Sequence, residues 1–364
     1  MSKGFDYGRE KETGERLILD RQKLHAPHGF ILGGDDVTRN KFVMNEITQA
    51  FTDTDDDIII CDPYGEYTWL VQRLNGQVIT LNPDSQQFIN PLDISLNDLD
   101  CLGDDYKHLE LQTKMEFVSV LCGLILGREN LNPVEQHVLN RCIKKIYEPF
   151  FANPQTAPMP LLQDLHTALL ELPYEETKAI ATALEPFIFG EYKMFNRHTT
   201  VDMSNCLVSF AVMTQDKHYD PLVKQVAMLT AFETSRQRLH KFITTAKRTR
   251  IYMNDCTYFY QHGNGMAYYF NYVWNRARPY GGIMTGIIEN TKDLLTNRLF
   301  EAILANNSFN CVFPFFYNEI GHISELLRLS TKSAEFLTSA MDNDCKSDRE
   351  GVICFGDKEI PFSF

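Results

Sequence analysis

Three short polar segments, each following an apolar run, carry residue types that can handle phosphate and Mg²⁺. The first is Gly33-Gly34-Asp35-Asp36-Val37-Thr38-Arg39-Asn40. A phosphate-binding loop has the pattern G-x-x-x-x-G-K-[ST], because glycine lets the backbone approach the phosphates, lysine contacts them and the hydroxyl binds Mg²⁺. In this sequence only the first glycine of the pattern survives, and three different residues replace the last three. The candidate phosphate-contacting residues are Gly33, Gly34, Thr38, Arg39 and Asn40.

Two carboxylates, Asp35 and Asp36, stand where this loop would cradle an anion. At about 5 Å and an effective dielectric constant of about 20, each would repel one phosphate charge by about 3 kcal/mol. That repulsion weakens binding by a factor of about 100. The sequence by itself therefore favours an ordinary strand-to-helix turn. We predict no firm cofactor and no metal site, and expect ATP with Mg²⁺ only if the altered loop still binds them.

The other two polar segments are Met253-Asn254-Asp255 and Ile287-Ile288-Glu289-Asn290. In a nucleotide hydrolase the first would end in Asp-Glu, with Asp holding Mg²⁺ and Glu orienting the attacking water. Asn254 lacks the charge, and Asp255 is one methylene shorter than glutamate. Glu289 follows the next strand, where a solvated strand end explains it at least as well as a catalytic role.

Continuous apolar strands must position these segments. Residues 30–32 and 58–61 read as buried strands with a helix at 37–51 between them, which is typical of a parallel sheet covered on both faces. The ligand site of such a sheet lies beyond the carboxyl ends of its strands. Further strands are predicted at 77–81, 206–212, 250–253, 281–287, 309–315 and 352–355, with long helices at 220–244 and 267–278. The predicted fold class is α/β with a mainly parallel sheet.

The pattern changes to helices alone between the strands at 77–81 and 206–212. Amphipathic helices are predicted at 109–126, 133–150, 160–172 and 174–187, and two of them begin at a proline. We interpret residues 106–198 as an all-α insertion. Residues 1–105 and 199–364 then form the α/β domain.

Composition excludes several classes of protein. Of the 364 residues 44% are hydrophobic and 23% are charged, as in an ordinary globular protein. The longest apolar run, 118–126, is far shorter than the roughly 20 residues of a membrane span. The first residues lack the apolar core of a signal peptide, so we expect a cytosolic protein. Nine scattered cysteines without a Cys-x-x-Cys pair argue against a disulfide framework and a structural zinc site.

One dense basic stretch, residues 236–250, stands against a net charge of −13. The overall charge argues against a general nucleic-acid coat, although a local basic channel would allow a DNA-handling module. The plainer interpretation is a solvated helix face and loop. The aromatic residues between 258 and 272 are expected to be mostly core, or a partner surface if several are exposed.

Short segments along nearly the whole chain resemble one protein family. Typical examples are Asp62-Pro63, Gly65-Glu66-Tyr67 and Asn90-Pro91-Leu92-Asp93. The matching segments are 17–21, 29–33, 55–63, 65–67, 88–93, 180–184, 195–197, 281–283, 285–287, 290–295, 355–356 and 360–362. They resemble the conjugal-transfer ATPases of type IV secretion systems, the fourth component of the VirB apparatus (TraC/TraE-like), in the form found in Gram-positive conjugative elements.

The resemblance implies a RecA-like P-loop NTPase fold with an all-α insertion. It also implies an oligomer, a homo-oligomer or one mixed with an active ATPase relative, that works with other conjugation or secretion proteins. We accordingly expect a cytoplasmic protein that can associate peripherally with the inner face of the cell membrane. Family members carry a large N-terminal docking region. Because this sequence begins just before the phosphate-loop strand, we expect ordinary docking to require another polypeptide.

The departures from the family fall at its chemical residues. The family would have Gly-Lys-Ser/Thr at 38–40, Asp-Glu at 254–255 and Gln at 289. A retained scaffold with changed chemical residues indicates a pseudo-ATPase that acts as a structural or regulatory partner. A slow or altered Mg-ATPase is the alternative. By family position, the candidate catalytic residues are Asp255, Glu66, Glu289, Arg276 and Arg278.

Those candidates also have plain structural interpretations. Arg276 and Arg278 could reach the γ-phosphate of a neighbouring subunit, or could simply end a helix with favourable charge. Glu66 could orient water, or could cap the helix that follows it.

Overall fold

The computed structural model describes most of the chain, with short gaps. The described residues are 4–95, 99–154, 156–212, 220–261, 263–289, 291, 294, 297–314, 317–342 and 349–364. The predicted strand end at Phe315 lies outside them, as do Asn290, Lys292, Asp293 and Leu295 of the matching segments.

Strands and helices alternate through much of the chain. The strands are β1 (Phe5–Glu10), β2 (Arg16–Leu19), β3 (Gly29–Leu32), β4 (Asp57–Asp62), β5 (Gln77–Thr80), β6 (Leu207–Ala211), β7 (Thr249–Asn254), β8 (Gly282–Ile288), β9 (Phe309–Val312), β10 (Glu350–Phe355) and β11 (Lys358–Ser363). The helices are α1 (Asp36–Asp53), α2 (Thr68–Arg73), α3 (Leu99–Ile125), α4 (Pro133–Ala152), α5 (Leu162–Leu170), α6 (Glu175–Ile188), α7 (Pro221–Arg238), α8 (Lys241–Thr245), α9 (Tyr258–Gln261), α10 (Asn264–Ala277), α11 (Arg298–Ala305), α12 (Tyr317–Leu327) and α13 (Thr331–Asp342). Among the helices of the described residues, none combines the length and apolar character needed to cross a bilayer.

All eleven strands belong to one sheet, in the order β2-β1-β11-β10-β9-β3-β8-β7-β4-β6-β5. The strands from β9 to β5 in this order run parallel to their neighbours. The other four form an antiparallel edge. The predicted α/β class with a mainly parallel sheet is confirmed.

The central strands are buried along their full length because helices cover both faces of the sheet. On β4, Ile59 and Cys61 face the larger apolar cluster, which also contains side chains of α3–α7 and α10. Ile58 and Ile60 face the second cluster, which is formed with α1 and α2. This alternation gives β4 its uninterrupted apolar sequence and holds its carboxyl end in a fixed position.

The helical segment contains α3, α4, α5 and α6, and the described residues between β5 and β6 contain no strand. Pro133 starts α4 after Asn132, whose side chain accepts hydrogen bonds from the backbone of Val134 and Glu135. Helix α3 begins earlier than predicted, at Leu99, with a break at Gly103, where φ is 77°. Residues 106–198 as a separate insertion stay a prediction.

The predicted helix at 220–244 is two helices. Helix α7 ends at Arg238, and the N–H groups of Leu239 and His240 donate to carbonyls only three residues back. This tighter turn interrupts the α-helical ladder before α8 begins. Strands β1, β2 and β11 were not predicted. They lie in the antiparallel edge of the sheet, and their many polar residues obscure the alternation of apolar and polar residues that indicates a strand.

His28, directly before β3, is buried, and only one of its two ring nitrogens has a hydrogen-bond partner among the described residues. Its Nδ1 accepts from the Met284 N–H at 3.1 Å, while its Nε2 has no partner among the described residues. Burial, and then the charges of Arg21 and Arg278, lowers the pKa of His28 to about 3. The folded protein therefore keeps this ring neutral at pH values where an unfolded chain protonates it.

Acidification is expected to destabilise the protein through His28. Because its pKa falls on folding, its contribution is present above pH 6.5 and is lost as the pH falls from 6.5 towards 3. Between pH 7 and 5 the loss is about 2 kcal/mol. Urea unfolding at both pH values should show this difference in wild type and not in His28→Asn. The matched control, His137→Asn, changes an exposed ring and should behave as wild type. An unchanged pH dependence in His28→Asn would contradict the assignment.

Candidate functional site

An open pocket of about 410 Å³ lies at the carboxyl ends of β4, β7 and β8, beside the start of α1. It brings together predicted residues that are far apart in the sequence. These residues are Arg39, Glu66, Asp255 and Glu289, together with Asp36 and Asn254. Four of them are carboxylates and one is a cation, so the lining is acidic.

The two glycines after β3 make the tight turn that the sequence predicts, since both have φ of 76°. Their N–H groups donate to backbone carbonyls of neighbouring segments. Gly33 donates to the Ile288 carbonyl at 2.9 Å and Gly34 to the Pro314 carbonyl at 3.2 Å. These two donors are therefore already paired with backbone, whereas a phosphate cradle needs free ones.

The N-terminus of α1 is capped by the chain itself. The Asp35 side chain accepts from the Thr38 N–H at 2.7 Å, and the Asp35 carbonyl accepts from the Arg39 N–H at 3.0 Å. A negative charge at this end also satisfies the helix dipole. An anion from solution would have to displace Asp35 from this position.

Arg39, at the position of the loop lysine, is held against the loop. Its guanidinium donates to the Gly34 carbonyl at 3.0 Å and to Asp36 Oδ1 at 2.5 Å. Glu289 Oε2 lies 3.8 Å away, and only 4% of the Arg39 side chain is exposed. The cation that would meet a phosphate is thus neutralised by the protein's own carboxylates.

Asn40 and Asn254 stand at the two positions where the resemblance implies Mg²⁺-binding residues, and both form hydrogen bonds within the protein. Asn40 Oδ1 accepts from the Tyr67 hydroxyl at 3.0 Å. Asn254 Nδ2 donates to Asp62 Oδ1 at 3.2 Å and to Glu66 Oε2 at 2.5 Å. Burial raises the pKa of the fully buried Asp62. The Asn254 amide therefore supplies a donor between two acids, where an aspartate would add a third negative charge.

Asp255 faces the pocket in a left-handed conformation, with φ of 52°. Its carboxylate accepts from the Thr257 hydroxyl and, at 3.4 Å, from the Tyr64 hydroxyl. Lys224 Nζ donates to that tyrosine oxygen at 3.0 Å and lies over the Tyr64 and Tyr258 rings. Burial lowers the pKa of Lys224. The sequence prediction missed Lys224, although the start of a helix after β6 is a position where site residues are expected.

Arg276 and Arg278 do not join this pocket. They precede β8, while Glu289 follows it, and seven residues of strand separate the two ends by roughly 20 Å. Arg276 lies over the Tyr272 ring, 3.9 Å from its centroid, and Arg278 donates to His25 Nδ1 at 2.8 Å.

Three arginines of the basic stretch at 236–250 are buried rather than solvated, whereas Lys247 in its loop is exposed. Arg236 pairs with Glu110 at 3.0 Å and Glu233 at 2.7 Å. Arg238 and Arg250 are buried in the same way, with Asp57 and Asp56 as partners. The interpretation as a solvated face is therefore wrong for these three arginines, and the DNA-handling alternative, which stays a prediction, would have to use other residues. The aromatic residues at 258–272 are mostly core, as predicted, although Tyr268 is exposed.

Comparisons with known proteins give matches among solved structures. No known family profile and no curated protein sequence matches the chain. VirB4 of Thermoanaerobacter pseudethanolicus superposes with a TM-score of 0.78 at 18% identity, over 100% of this chain and 96% of that one. The plasmid coupling protein TrwB, solved with the GTP analogue GDPNP, gives 0.56 at 10% identity, over 92% of this chain and 84% of that one. Unbound TrwBdeltaN70, a bacterial conjugative coupling protein, gives 0.57 at 10% identity over 98% and 87%. The chain therefore has the P-loop NTPase fold of VirB4 and TrwB, and the predicted resemblance to the type IV secretion and conjugation ATPases is confirmed at the level of the fold.

Proposed function

We propose that this chain is a non-hydrolysing relative of the type IV secretion and conjugation ATPases, and that it acts as a structural or regulatory partner in conjugative transfer. The observation that carries the proposal is the internally satisfied phosphate loop. The Asp35 side chain accepts a hydrogen bond from the Thr38 N–H. The Arg39 guanidinium donates to the Gly34 carbonyl and to the Asp36 carboxylate. A nucleotide would have to break these contacts and enter an acidic pocket.

Its partners are other proteins of a conjugation or secretion system, and it forms either a homo-oligomer or a hetero-oligomer with an active ATPase relative. It works in the cytoplasm, peripherally at the inner face of the membrane. Residues 106–198 form an all-α insertion in the α/β domain made by 1–105 and 199–364. Arg276 and Arg278 lie too far from the nucleotide-type pocket of the same chain to contact a ligand there. If they contact a nucleotide, it is one bound to a neighbouring subunit.

A slow Mg-ATPase is the second candidate, because an open pocket lies at the carboxyl ends of the parallel strands, where such a fold binds nucleotide. Asp255, Glu66 and Glu289 line it, and Glu66 and Glu289 follow strands that end at its edge. In this candidate they would orient water or hold the metal, while Arg39 would serve for lysine and Asn40 for the hydroxyl. Turnover would then require Mg²⁺ and would disappear in Asp255→Ala.

Calorimetric titration with ATP, with and without Mg²⁺, is expected to give no binding heat at millimolar nucleotide. The physical reason is the repulsion of about 3 kcal/mol per carboxylate at about 5 Å, added to the loss of paired loop donors. Micromolar binding would overturn the proposal. Binding accompanied by Mg²⁺-dependent phosphate release, lost in Asp255→Ala, would establish the slow ATPase instead.

A further inference from the structure

The neighbouring parallel strands β7 and β8 have opposite charges at their two ends. The strands begin and end side by side, with Thr249 beside Gly282 and Asn254 beside Ile287. Four cationic residues lie just before the two strands, and none forms an ion pair within the described part of the chain: Lys247, Arg248, Arg276 and Arg278. The seven residues of β8 separate this basic end from the acidic pocket by roughly 20 Å.

The charge balance differs between the two ends. Before the neighbouring strand β4 stand two exposed acids, Asp53 and Asp55, so the four cations outnumber them. At the opposite end, five carboxylates follow β3, β4, β7 and β8: Asp35, Asp36, Glu66, Asp255 and Glu289. Only two cations among the described residues, Arg39 and Lys224, offset them there. The chain is therefore positive at one end of these strands and negative at the other.

The acidic end can receive a cation from outside the chain. The pocket of about 410 Å³ is open, and the Asp36 and Glu289 side chains on its lining are 63% and 69% exposed. The Tyr64 ring, also on the lining, is partly exposed, and the face of a tyrosine attracts a guanidinium group. Arginine can also bind a carboxylate through two parallel hydrogen bonds. An arginine side chain therefore suits this pocket.

Both ends also have exposed apolar side chains close in the sequence to their charged residues. Val37 lies in the first turn of α1, and Trp69 lies in the first turn of α2, three residues after Glu66. At the basic end, Ile243 of α8 is exposed four residues before Lys247. Protein interfaces combine apolar contacts with a charged and polar rim, so both ends have the composition of an interface.

We propose that copies of this chain associate head to tail, with the basic end of β7 and β8 in one copy against the acidic pocket of the next. Arg276 and Arg278 then form ion pairs with the pocket carboxylates of the neighbouring copy, in the space that a nucleotide would fill. Contact between two acidic ends is disfavoured because like charges repel. The interface is therefore heterologous and gives a ring or a filament. The inference rests on the proposed function, since the pocket must be free of nucleotide.

Analytical ultracentrifugation of the full chain tests this contact. We expect an oligomer whose association weakens about tenfold or more between about 0.1 M and 1 M salt, because the Debye length falls from about 10 Å to about 3 Å. Arg276→Glu with Arg278→Glu should weaken association at the lower salt about tenfold or more. The matched control, Arg141→Glu with Lys144→Glu, reverses the same charge at exposed positions of α4 and should associate as wild type does.

A mixture of two variants tests which ends meet. Glu66→Lys with Glu289→Lys should also block self-association, and both residues are exposed, so the fold should be retained. An equal mixture of this acidic-end variant with the basic-end variant should associate again, because each supplies the end that the other has lost. A mixture that stays monomeric would overturn the inference. A wild-type chain that stays monomeric at about 100 μM, a concentration at which a weak specific contact forms, would overturn it as well.

Addition of Mg-ATP distinguishes a failure of this inference from a failure of the proposed function. An oligomer that millimolar ATP leaves unchanged supports both. A monomer that binds no ATP overturns this inference alone. An oligomer that ATP dissociates overturns the proposed function alone, because ATP then competes for the same pocket. An oligomer that forms only with ATP overturns both.

Discussion

ATP affinity is expected to rise by about 100-fold or more when the loop between β3 and α1 is rebuilt. The variant carries Asp35→Gly, Asp36→Asn, Thr38→Gly, Arg39→Lys and Asn40→Thr. The first two changes remove two negative charges. Asp35→Gly also frees the N–H of residue 38, because it removes the carboxylate to which that N–H donates. Lysine restores a compact ammonium, and threonine restores a Mg²⁺ ligand. Calorimetric titration with Mg-ATP measures the change.

The control for this variant must remove the same charge at a place remote from the loop. Asp53→Asn with Asp55→Asn does so, because Asp53 ends α1, Asp55 lies two residues beyond it, and both are exposed. That control should bind ATP no better than wild type. Glycine as a helix N-cap costs only a few tenths of a kcal/mol relative to aspartate, so the rebuilt loop should fold. A folded variant that does not bind ATP would contradict the idea that the self-capped loop is what prevents binding.

Glu233→Ala is expected to lower the free energy of unfolding by about 3–5 kcal/mol. Glu233 is buried on α7 and accepts from Lys114 at 2.6 Å, Arg236 at 2.7 Å and the Tyr269 hydroxyl at 2.5 Å. Burial alone would raise its pKa, but the charges of Arg236 and Lys114 outweigh burial and lower it to about 2. Its contribution is therefore complete above about pH 4.5 and is lost as the pH falls towards 2.

Urea unfolding at pH 7 measures the loss, with Glu175→Ala as control. Glu175 forms an exposed pair with Lys178 on α6, so its removal should cost about 0.5 kcal/mol at most. If Glu233→Ala does not fold, Glu233→Gln combined with Lys114→Met should recover part of the stability, because it removes the unpaired buried charge as well. A cost below about 1 kcal/mol for Glu233→Ala would mean that the buried pairs are worth little.

Most of the central sheet could be predicted because its strands are buried on both faces. Continuous apolar runs such as 58–61 have that one structural solution, and their carboxyl ends located the pocket. The same reasoning placed Glu66, Asp255 and Glu289 near one another. From the local sequence alone, it also predicts that the acidic loop is unsuited to phosphate, and that stays a prediction.

Contacts between distant segments could not be predicted in the same way. The partners of Arg236 and Arg238 are Glu110 and Asp57, more than a hundred positions away, so the basic stretch looked solvated. The tie between Arg39 and the Gly34 carbonyl depends on the turn geometry of the glycines. Only the Asp35 cap has a sequence signal that would have revealed it, since aspartate is a preferred N-cap residue.

The two ends of this sequence are neighbours in the sheet, where Arg9 of β1 pairs with Ser363 of β11. At a synthesis rate of about 5–20 residues per second, the β1–β2 hairpin waits roughly 20–70 s for the strand it joins. During that time its open edge can pair with other chains. A nascent chain can therefore complete its parallel sheet before its antiparallel edge, and any product that stops short of residue 358 leaves β1 without its partner strand in the sheet, held only by contacts such as that of Tyr7 with Glu46 of α1.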